Sequence, residues 1–367
     1  MQKLVKKLCE LHEQPYALLT GSGTAAIYSI LKLLGPKPLK VGIPNSVCFN
    51  VVLPIFNNGH IPIYLDIDEK TLGLSIDTIN KCNEKLDVII AVHGYGSTCD
   101  ILGIRDYCRM HHIFLIEDAC VAQGATINNQ PVGSFGDASI ISFGRGKIID
   151  VGHGGAILLN DKTLLGELEK LMQCFNSDTK TNARYRDILN VKYTSFYNKY
   201  YRDYGLRVFE QNESFSKMLV SHSKYYFYKF DESYADNIFM ALDSLNKNIE
   251  SRYLNAKLLM GLFRGTGISC HQPANGSVYW RFNLFLEKRK RDKILQTLLT
   301  EKFNISSWFP SLDLFIENRD KTPINTPISD SIGNSILNIW VNDEIDREYL
   351  LNVSDRIQEM YEFMDVE

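Results

Sequence analysis

The 367-residue chain lacks an excess of either charge, and it has no long apolar run. It carries 40 Lys and Arg residues against 43 Asp and Glu residues, a formal net charge of −3. Nucleic acid is not expected as the main partner, because no basic excess is present to neutralise phosphates. No apolar run approaches the roughly 20 residues that span a bilayer. Residues 1–7 are followed by no apolar stretch, so we expect neither a membrane anchor nor a secretory signal there.

The cysteines form no Cys-x-x-Cys pair. The chain has eight of them, at Cys9, Cys48, Cys82, Cys99, Cys108, Cys120, Cys174 and Cys270. In a chain of this length, scattered cysteines are typical of free thiols in a reducing compartment, which predicts a cytoplasmic protein. No His and Cys cluster has the spacing of zinc ligands, and the adjacent His111 and His112 are interpreted as a loop after a helix. We therefore predict no metal site.

Short β-rich runs alternate with helical patterns over roughly the first 160 residues, which is typical of βαβ units. Strands are predicted at residues 41–43, 63–65, 88–92, 113–116, 139–141 and 156–159. Their continuous apolar character indicates burial on both faces, as in parallel sheets. Polar residues follow the strand ends, where open α/β sheets bind ligands. The predicted fold class is α/β, with a mostly parallel central sheet flanked by helices.

The second half of the chain has a different character. Residues 173–231 are crowded with tyrosine and phenylalanine, interleaved with Lys and Arg. Helical packing with tyrosine hydroxyls at the surface or against a partner subunit is the favoured interpretation over a nucleic-acid or membrane surface. Helices are then predicted at residues 238–263, 288–302 and 344–364. We predict a large α/β domain over residues 1–232 and a smaller C-terminal α+β domain over residues 233–367.

One lysine lies in a glycine-rich turn beyond a predicted strand. The turn contains Ser142, Phe143, Gly144, Arg145, Gly146 and Lys147, and residues 152–155 follow with three more glycines. A lysine forms a Schiff base readily only when burial or a neighbouring cation lowers its pKa, and Arg145 is a candidate for that cation. A solvated loop lysine is the simpler alternative for this stretch taken alone.

Two further segments carry related chemistry. Gly23, Thr24 and Ala25 precede an apolar helical run, and small residues at a helix start let backbone N–H groups approach a phosphate. An ordinary capped helix is the alternative. Asp118 follows a buried strand, where a carboxylate can pair with a protonated pyridine nitrogen, although it can also cap the next helix. With Ser142 as a hydroxyl donor to phosphate and Lys147 as the amine, the order of these segments predicts a pocket for pyridoxal 5′-phosphate.

The chain resembles the DegT/StrS-type aminotransferases, fold-type-I enzymes that use pyridoxal phosphate to aminate keto sugars carried on nucleotides. The landmarks in chain order are Gly23, Thr24 and Ala25; Ile43 and Pro44; residues 64–68 with Thr71 and Leu72; residues 93–96; residues 117–119; Gly124 and Ala125; residues 132–138; Ser142, Phe143 and Lys147; and residues 154–156. The resemblance is specific over residues 18–161 and looser afterwards, where residues 307–310 resemble a substrate loop of the family.

The resemblance implies a role for each candidate residue. Lys147 would hold the aldehyde of the cofactor and Asp118 its ring nitrogen, and these two are the predicted catalytic residues. Ser142 would hold the phosphate together with Gly23, Thr24 and Ala25. Cys48 stands where many relatives place an aromatic residue over the ring. Val121 replaces the usual polar neighbour of the phenolic oxygen, for which Gln123 is a candidate substitute, and Phe227 stands at the place of an asparagine that reaches the neighbouring subunit.

The predicted activity is transfer of an amino group from an amino acid, glutamate by resemblance, to a nucleotide-linked keto sugar. The pathway implied is the biosynthesis of a surface polysaccharide or a natural product, and the enzyme is expected to be a homodimer. Some relatives have histidine in place of the lysine and dehydrate their substrate, so Lys147 favours transamination. Two alternatives remain open: a dehydratase of deoxysugars that uses the same cofactor, and a non-catalytic regulatory protein, which the Val121 and Phe227 departures would suit.

Overall fold

The computed structural model describes residues 1–178, 180, 181, 184, 185, 187, 188, 191, 227–314 and 324–364. Most of the predicted aromatic segment, residues 173–231, therefore lies outside the described residues. Within the described part of the chain, no helix combines the length and the apolar character needed to cross a bilayer.

The strands are numbered along the chain. They are β1 (Tyr16–Thr20), β2 (Lys40–Pro44), β3 (Ile61–Leu65), β4 (Val88–Val92), β5 (Phe114–Asp118), β6 (Thr126–Ile127), β7 (Gln130–Pro131), β8 (Ala138–Ser142), β9 (Gly155–Leu159), β10 (Ser269–Cys270), β11 (Phe282–Phe285), β12 (Ile305–Ser306) and β13 (Ile336–Ile339). Seven of them form the central sheet, in the order β1-β9-β8-β5-β4-β2-β3. A second sheet has the order β10-β11-β13-β12, and β6 pairs with β7.

The central sheet is mostly parallel. Strands β8, β5, β4, β2 and β3 run in one direction, whereas β9 pairs antiparallel with both β8 and β1. Every residue of β4, β8 and β9 is buried, as their continuous apolar runs predict. All six predicted strands are confirmed within one or two residues at each end. Strand β1 was not predicted from the sequence.

The helices cover both faces of this sheet and the second sheet. They are α1 (Gln2–Leu11), α2 (Gly23–Leu33), α3 (Leu53–Asn57), α4 (Ile76–Asn80), α5 (Ile101–His111), α6 (Lys162–Gln173), α7 (Ala235–Asp243), α8 (Leu245–Leu262), α9 (Lys288–Thr300), α10 (Pro327–Ser335) and α11 (Arg347–Phe363). The predicted final helix corresponds to α11, and the predicted charged helix corresponds to α9.

The predicted single helix over residues 238–263 is wrong. The structure has two helices there, α7 and α8, which are separated at Ser244. The two helices pack in different places, because α7 contacts α1 and α8 contacts α11. The apolar pattern continues across the break, so the change of direction is not visible in the sequence.

The second sheet is antiparallel and contains only strands that follow residue 268. It shares an apolar cluster with the central sheet, since buried Ile43 and Ile116 belong to the same cluster as Phe282 and Leu337. The division of the chain near residue 232 stays a prediction. The arrangement matters for function because it brings residues after 280 next to the edge of the central sheet where β5 and β8 end.

Candidate active site

A cavity of about 850 Å³ opens at the carboxyl edge of the parallel strands. Six of the predicted site residues line it: Gly23, Thr24, Cys48, Asp118, Ser142 and Lys147. They come from the start of α2, from the loop after β2, from the last residues of β5 and β8, and from the turn that follows β8. The structure therefore brings together residues that are up to 124 positions apart, because parallel strands end at one edge of the sheet.

The start of α2 forms one end of the cavity. A Cβ on Gly23 would lie 3.2 Å from Cys120 Sγ, 3.3 Å from Ser142 Cβ and 3.6 Å from Ser142 Oγ. A side chain at this position would crowd Cys120 and Ser142, and glycine avoids this. The first N–H groups of a helix have no partner within the helix, and the helix dipole favours negative charge there. Gly23 and Thr24 thus form, with the Ser142 hydroxyl, a concave site suited to a phosphate.

Ala25, the third residue of α2, lies next to this site. It does not line the cavity, and its N–H donates to Ser22 Oγ at 3.1 Å. Ser22 is the N-cap of α2, and its hydroxyl oxygen accepts the Ala25 N–H that the sequence analysis assigned to the phosphate. A contact between Ala25 and the cofactor phosphate stays a prediction.

Asp118 is the last residue of β5 and is only 4% exposed. Its Oδ1 accepts the N–H of Cys120 at 2.9 Å, which fixes the direction of the carboxylate. The preceding residue, Glu117, points to the other side of the strand, as alternation along a strand requires. Asp118 is thus directed into the cavity while Glu117 is directed into the protein.

Glu117 is fully buried and accepts five hydrogen bonds. The donors are Gly133 N–H at 2.6 Å, Phe135 N–H at 2.8 Å, Gly136 N–H at 3.2 Å, Ser139 Oγ at 2.8 Å and His93 Nε2 at 3.0 Å. Burial opposes ionisation of this carboxyl. The interaction with His93 and the hydrogen bonds from the Gly133 and Phe135 N–H groups nevertheless prevail and lower its pKa. This cluster ties the end of β5 to its neighbours and holds the strand that carries Asp118.

Lys147 lies in the turn after β8. Its N–H donates to the Gly144 carbonyl oxygen at 3.3 Å, and Gly146, in the left-handed region at φ +73°, donates to Asp150 Oδ2 at 2.7 Å. Burial raises the pKa of the Cys48 thiol, the Lys147 ammonium opposes this rise, and the Asp118 carboxylate adds to it. Lys147 and Asp118 are therefore both close enough to Cys48 to affect the pKa of its thiol.

Arg145 lines the same cavity as Lys147. Its side chain is 74% exposed, and its guanidinium lies 3.8 Å from Asp187 Oδ2. An exposed and paired cation has little effect on a neighbouring amine, because solvent screens it. The sequence-based suggestion that Arg145 tunes the lysine is not supported by this arrangement.

Val121 and Gln123 lie differently with respect to the cavity. Val121 lines the cavity, whereas Gln123 does not line it and is fully buried. Gln123 Nε2 donates to the Ser142 carbonyl oxygen at 3.5 Å, behind the wall of the cavity. The direct contact between Gln123 and the cofactor stays a prediction.

Part of the cavity wall comes from the second half of the chain, where the resemblance predicted residues 307–310 but not Trp280 and Arg281. Trp280 and Arg281 line it together with Trp308 and Phe309, which belong to the predicted substrate loop. The rings of Trp280 and Phe309 stack with centroids 5.8 Å apart and planes 7° apart. One sequence signal was available: the chain has only three tryptophans, and all three lie in this region.

Phe227 packs within its own chain. Its ring stacks on Tyr28 of α2, with centroids 3.9 Å apart. The Tyr228 side chain and carbonyl oxygen lie against Gly21, next to the start of α2. A contribution of this segment to the site of a neighbouring subunit stays a prediction.

The residues at the cavity fit pyridoxal phosphate. Gly23 at the start of α2 and the Ser142 hydroxyl would hold its phosphate, because both line the cavity and the N-terminus of a helix favours an anion. Asp118 would hold the ring nitrogen, since its carboxylate is oriented into the cavity. Lys147 is the amine on the same cavity wall.

Comparisons with known proteins agree with this geometry. The model of the DegT/DnrJ/EryC1/StrS aminotransferase family matches residues 1–358. The GDP-perosamine synthase of Vibrio cholerae is 30% identical over 190 residues, which are 51% of this chain and 51% of that protein. The GDP-perosamine synthase of Escherichia coli O157:H7 is 35% identical over 166 residues, 45% of this chain and 46% of that protein. The chain spans about half the length of these curated relatives.

The fold is shared with solved structures over almost the whole chain. A putative sugar aminotransferase of Streptococcus pneumoniae, in its PMP form, superposes with a TM-score of 0.78 at 17% identity. The superposition covers 100% of this chain and 91% of that chain, and it confirms the predicted fold-type-I architecture. Since the family model covers nearly every residue, the chain belongs to the DegT/DnrJ/EryC1/StrS aminotransferase family.

Proposed function

We propose that the protein is a pyridoxal-phosphate-dependent aminotransferase that moves an amino group from glutamate to a keto sugar linked to a nucleotide. One observation carries this proposal: Lys147, Asp118, Ser142 and the start of α2 line a single cavity. The names of the two relatives, which refer to GDP-linked perosamine, support a nucleotide-linked sugar as the acceptor. We place the reaction in the biosynthesis of a surface polysaccharide or a natural product.

Pyridoxal phosphate, when bound, supplies an aldehyde that condenses with amines and a ring that accepts the electron pair left by a departing proton. Asp118 would keep the ring nitrogen protonated, because a buried carboxylate next to it stabilises the positive charge. Lys147 Nζ would take the proton from the donor's Cα and return a proton to the acceptor carbon, as general base and then general acid. Ser142 and the α2 N-terminus would hold the phosphate and so fix the distance between Lys147 and the reacting carbon.

The cavity is large enough for this reaction. Its volume of about 850 Å³ lies in the upper part of the roughly 300–1,000 Å³ found for small-molecule sites. Apolar and aromatic residues beyond Lys147, among them Trp308 and Phe309, would exclude water from the donor and the sugar. All eight cysteines are free thiols, which supports the proposed cytoplasmic location. The enzyme is proposed to be a homodimer, and its mass in solution tests this.

Labelling of the cofactor lysine tests the proposal directly. The purified protein is treated with borohydride, digested, and searched by mass spectrometry for a pyridoxyl group on the peptide that contains Lys147. We expect that adduct in the wild type and in a control variant, Lys162→Ala, at an exposed position of α6. Lys147→Ala is expected to lose both the adduct and turnover. An adduct on another lysine, or near-normal turnover in Lys147→Ala, would exclude this assignment.

Product analysis separates the proposal from the two alternatives that the sequence left open. Transamination consumes one glutamate for each amine formed on the sugar, whereas a dehydratase consumes none. A regulatory protein would leave the cofactor absorption unchanged when glutamate is added. We expect glutamate to abolish the absorption of the resting protein, and the keto sugar to restore it.

A further inference from the structure

A buried tyrosine hydroxyl joins two parts of the cavity wall that come from different halves of the chain. Tyr95 lies in the loop after β4 and is only 1% exposed. Its hydroxyl oxygen accepts the Phe309 N–H at 2.9 Å and lies 2.9 Å from Ser46 Oγ. Ser46 and Phe309 both line the cavity, and Tyr95 does not. The hydroxyl therefore holds two residues of the wall from behind.

The three residues form a closed ring of hydrogen bonds. The Phe309 N–H only donates and the Phe309 carbonyl oxygen only accepts. Ser46 Oγ donates to that carbonyl oxygen at 3.3 Å, so the Tyr95 hydroxyl donates to Ser46 Oγ while it accepts the Phe309 N–H. Every donor of this hydrogen-bond ring then has an acceptor within it. Removal of the tyrosine hydroxyl breaks two of the three bonds and takes the acceptor from the Phe309 N–H.

The backbone of the loop after β4 is shaped for this placement. Tyr95 has φ +59°, in the left-handed region that residues with a side chain rarely adopt, and it lies between Gly94 and Gly96. Such a conformation persists only where the surrounding contacts hold it. The Gly96 carbonyl oxygen accepts the Val278 N–H at 3.0 Å, and the ring centroids of Tyr95 and Trp280 are 6.4 Å apart. The same loop therefore also contacts the segment that carries Trp280.

The contacts continue from Phe309 to the turn that carries the candidate lysine. The Phe309 ring stacks on Trp280, and Trp280 Nε1 donates to the Gly146 carbonyl oxygen, one residue before Lys147. The distance between the Phe309 ring and this turn therefore depends on where the Phe309 backbone is held.

The backbone of the wall is held from both sheets. The Trp308 N–H donates to Asn338 Oδ1 of β13 at 2.7 Å, and Asn338 Nδ2 donates to the Trp308 carbonyl oxygen at 3.3 Å. Phe309, the next residue, is held by Tyr95 from the loop after β4. One residue of the wall is thus fixed to the second sheet and the next to the central sheet. The Tyr95 hydroxyl sets how closely the wall approaches the carboxyl edge of the central sheet.

The aromatic wall suits a sugar better than an amino acid. A sugar ring has C–H faces that pack on aromatic side chains, whereas glutamate has no such face and is bound mainly through its charges. We propose that Tyr95 is a positioning residue for the sugar acceptor, because its hydroxyl holds Phe309 where the sugar ring packs. This rests on the proposed function, since only that reaction brings a keto sugar to the cavity. Tyr95 acts through Ser46 and Phe309 and does not touch the substrate.

Hydrogen exchange measures the hydrogen-bond ring without turnover. The purified protein is labelled in deuterated buffer, and overlapping peptic peptides are analysed by mass spectrometry. In Tyr95→Phe, which loses only the hydroxyl, the Phe309 amide should exchange at least about tenfold faster than in the wild type. Tyr349→Phe is the matched control, because the Tyr349 hydroxyl accepts the Asn304 N–H at 2.7 Å and does not line the cavity. In that variant the Asn304 amide should exchange faster while the Phe309 amide stays protected.

The two halves of the reaction show which substrate depends on the hydrogen-bond ring. The donor half is followed by the loss of the cofactor absorption on addition of glutamate, and the acceptor half by its return on addition of a keto sugar. The probes are keto deoxyhexoses linked to GDP or to dTDP, and the one that the wild type aminates is used. Tyr95→Phe should lower kcat/KM of the acceptor half at least about fivefold and change the donor half less than about twofold. Tyr349→Phe should leave both halves unchanged.

Ser46→Ala breaks the same ring at a different hydroxyl. It should show the same difference between the two halves, and it carries the comparison if circular dichroism shows that Tyr95→Phe does not fold. In the double variant the two effects should not add, because either substitution alone opens the ring. Additive effects would mean that Ser46 and Tyr95 act independently, and they would overturn the proposal.

The remaining outcomes are distinguishable. Unchanged exchange of the Phe309 amide in Tyr95→Phe would overturn the proposal. An equal loss in both halves, which a purely structural role produces, would overturn it too, as would no loss in either half. If the wild type responds to glutamate but aminates neither probe, the assignment to the sugar fails. If the wild type does not respond to glutamate, the proposed function fails, and faster exchange of the Phe309 amide in Tyr95→Phe still shows that Tyr95 holds the wall.

Discussion

Replacement of Glu117 tests how the end of strand β5 is held. The carboxylate is fully buried and accepts hydrogen bonds from His93, Ser139 and three backbone N–H groups. His93 Nε2 donates one of these hydrogen bonds, at 3.0 Å, and the pKa of the buried imidazole is raised to about 10, because its interactions with Cys99 and Glu117 outweigh the effect of burial. Removal of the carboxylate leaves several buried donors without an acceptor.

The expected cost follows from these contacts. A buried donor without a partner costs about 1–3 kcal/mol, and removal of one member of a buried charged cluster costs about 3–5 kcal/mol. The contributions are not additive, because water can enter the space left by the side chain. We expect Glu117→Ala to lower the free energy of unfolding by about 4 kcal/mol. Glu117→Gln keeps the shape and one acceptor oxygen and should cost about 2 kcal/mol.

The pH dependence gives a second measurement. The hydrogen bonds lower the pKa of Glu117 in the folded protein below its value in the unfolded chain, about 4.3. Its contribution to stability is therefore complete above that unfolded pKa, and it is lost as the pH falls through the folded pKa. In urea unfolding, the difference between the wild type and Glu117→Gln should be largest near pH 7 and should shrink below about pH 4.

A matched control is available at the surface. Glu10 lies in α1, 3.5 Å from Lys6, and both side chains are exposed. Glu10→Gln should change the free energy of unfolding by less than about 0.5 kcal/mol. The reasoning is refuted if Glu117→Ala costs no more than this control, or if the cost of Glu117→Gln is the same at about pH 3 and pH 7.

Three further substitutions test the site and its support. Asp118→Asn should leave circular dichroism unchanged and lower kcat at least about tenfold, and full activity would contradict its role at the ring nitrogen. Gly23→Ala should weaken cofactor binding about tenfold, because its Cβ would lie 3.3 Å from Ser142 Cβ. Equilibrium dialysis measures this affinity, and an unchanged value would show that the phosphate does not bind beside Gly23. Asp66 accepts the N–H of Ile328 at 3.0 Å. Asp66→Asn should therefore lower the free energy of unfolding in urea by about 1 kcal/mol. An unchanged free energy of unfolding would show that this hydrogen bond does not stabilise the fold.

The strands of the central sheet were predictable because most are buried on both faces. Such strands appear as continuous apolar runs, and β4, β8 and β9 are buried at every position. Strand β1 was missed because only some of its positions are buried and it directly follows the turn after α1. Strand β13 was missed because α10 ends at Ser335 and the strand begins at the next residue, with no turn signal between them.

The residues of the candidate site also fall into those that a local sequence pattern predicted and those that it missed. Gly23, Asp118, Ser142 and Lys147 lie at strand ends or in the turns that follow them, so local patterns identified them. Arg281 comes from the other half of the chain and reaches the site only through the packing of the second sheet against the first. No spacing rule relates it to Lys147. The sequence also did not show that the Ala25 N–H donates to the capping hydroxyl of Ser22 or that Gln123 donates to the Ser142 carbonyl oxygen.

Glu117 and Asp118 are adjacent in β5, but their carboxylates lie in different environments. Successive side chains of a strand point to opposite sides, so one carboxylate faces the cavity and the other faces the protein. Each needs a different environment: Asp118 must remain reachable by a ligand, whereas Glu117 needs to be surrounded by donors. Because Glu117 accepts five hydrogen bonds from the elements around β5, it holds the strand in place without contact with the cavity. A substitution at Glu117 should therefore act on stability first and on turnover only through the position of Asp118.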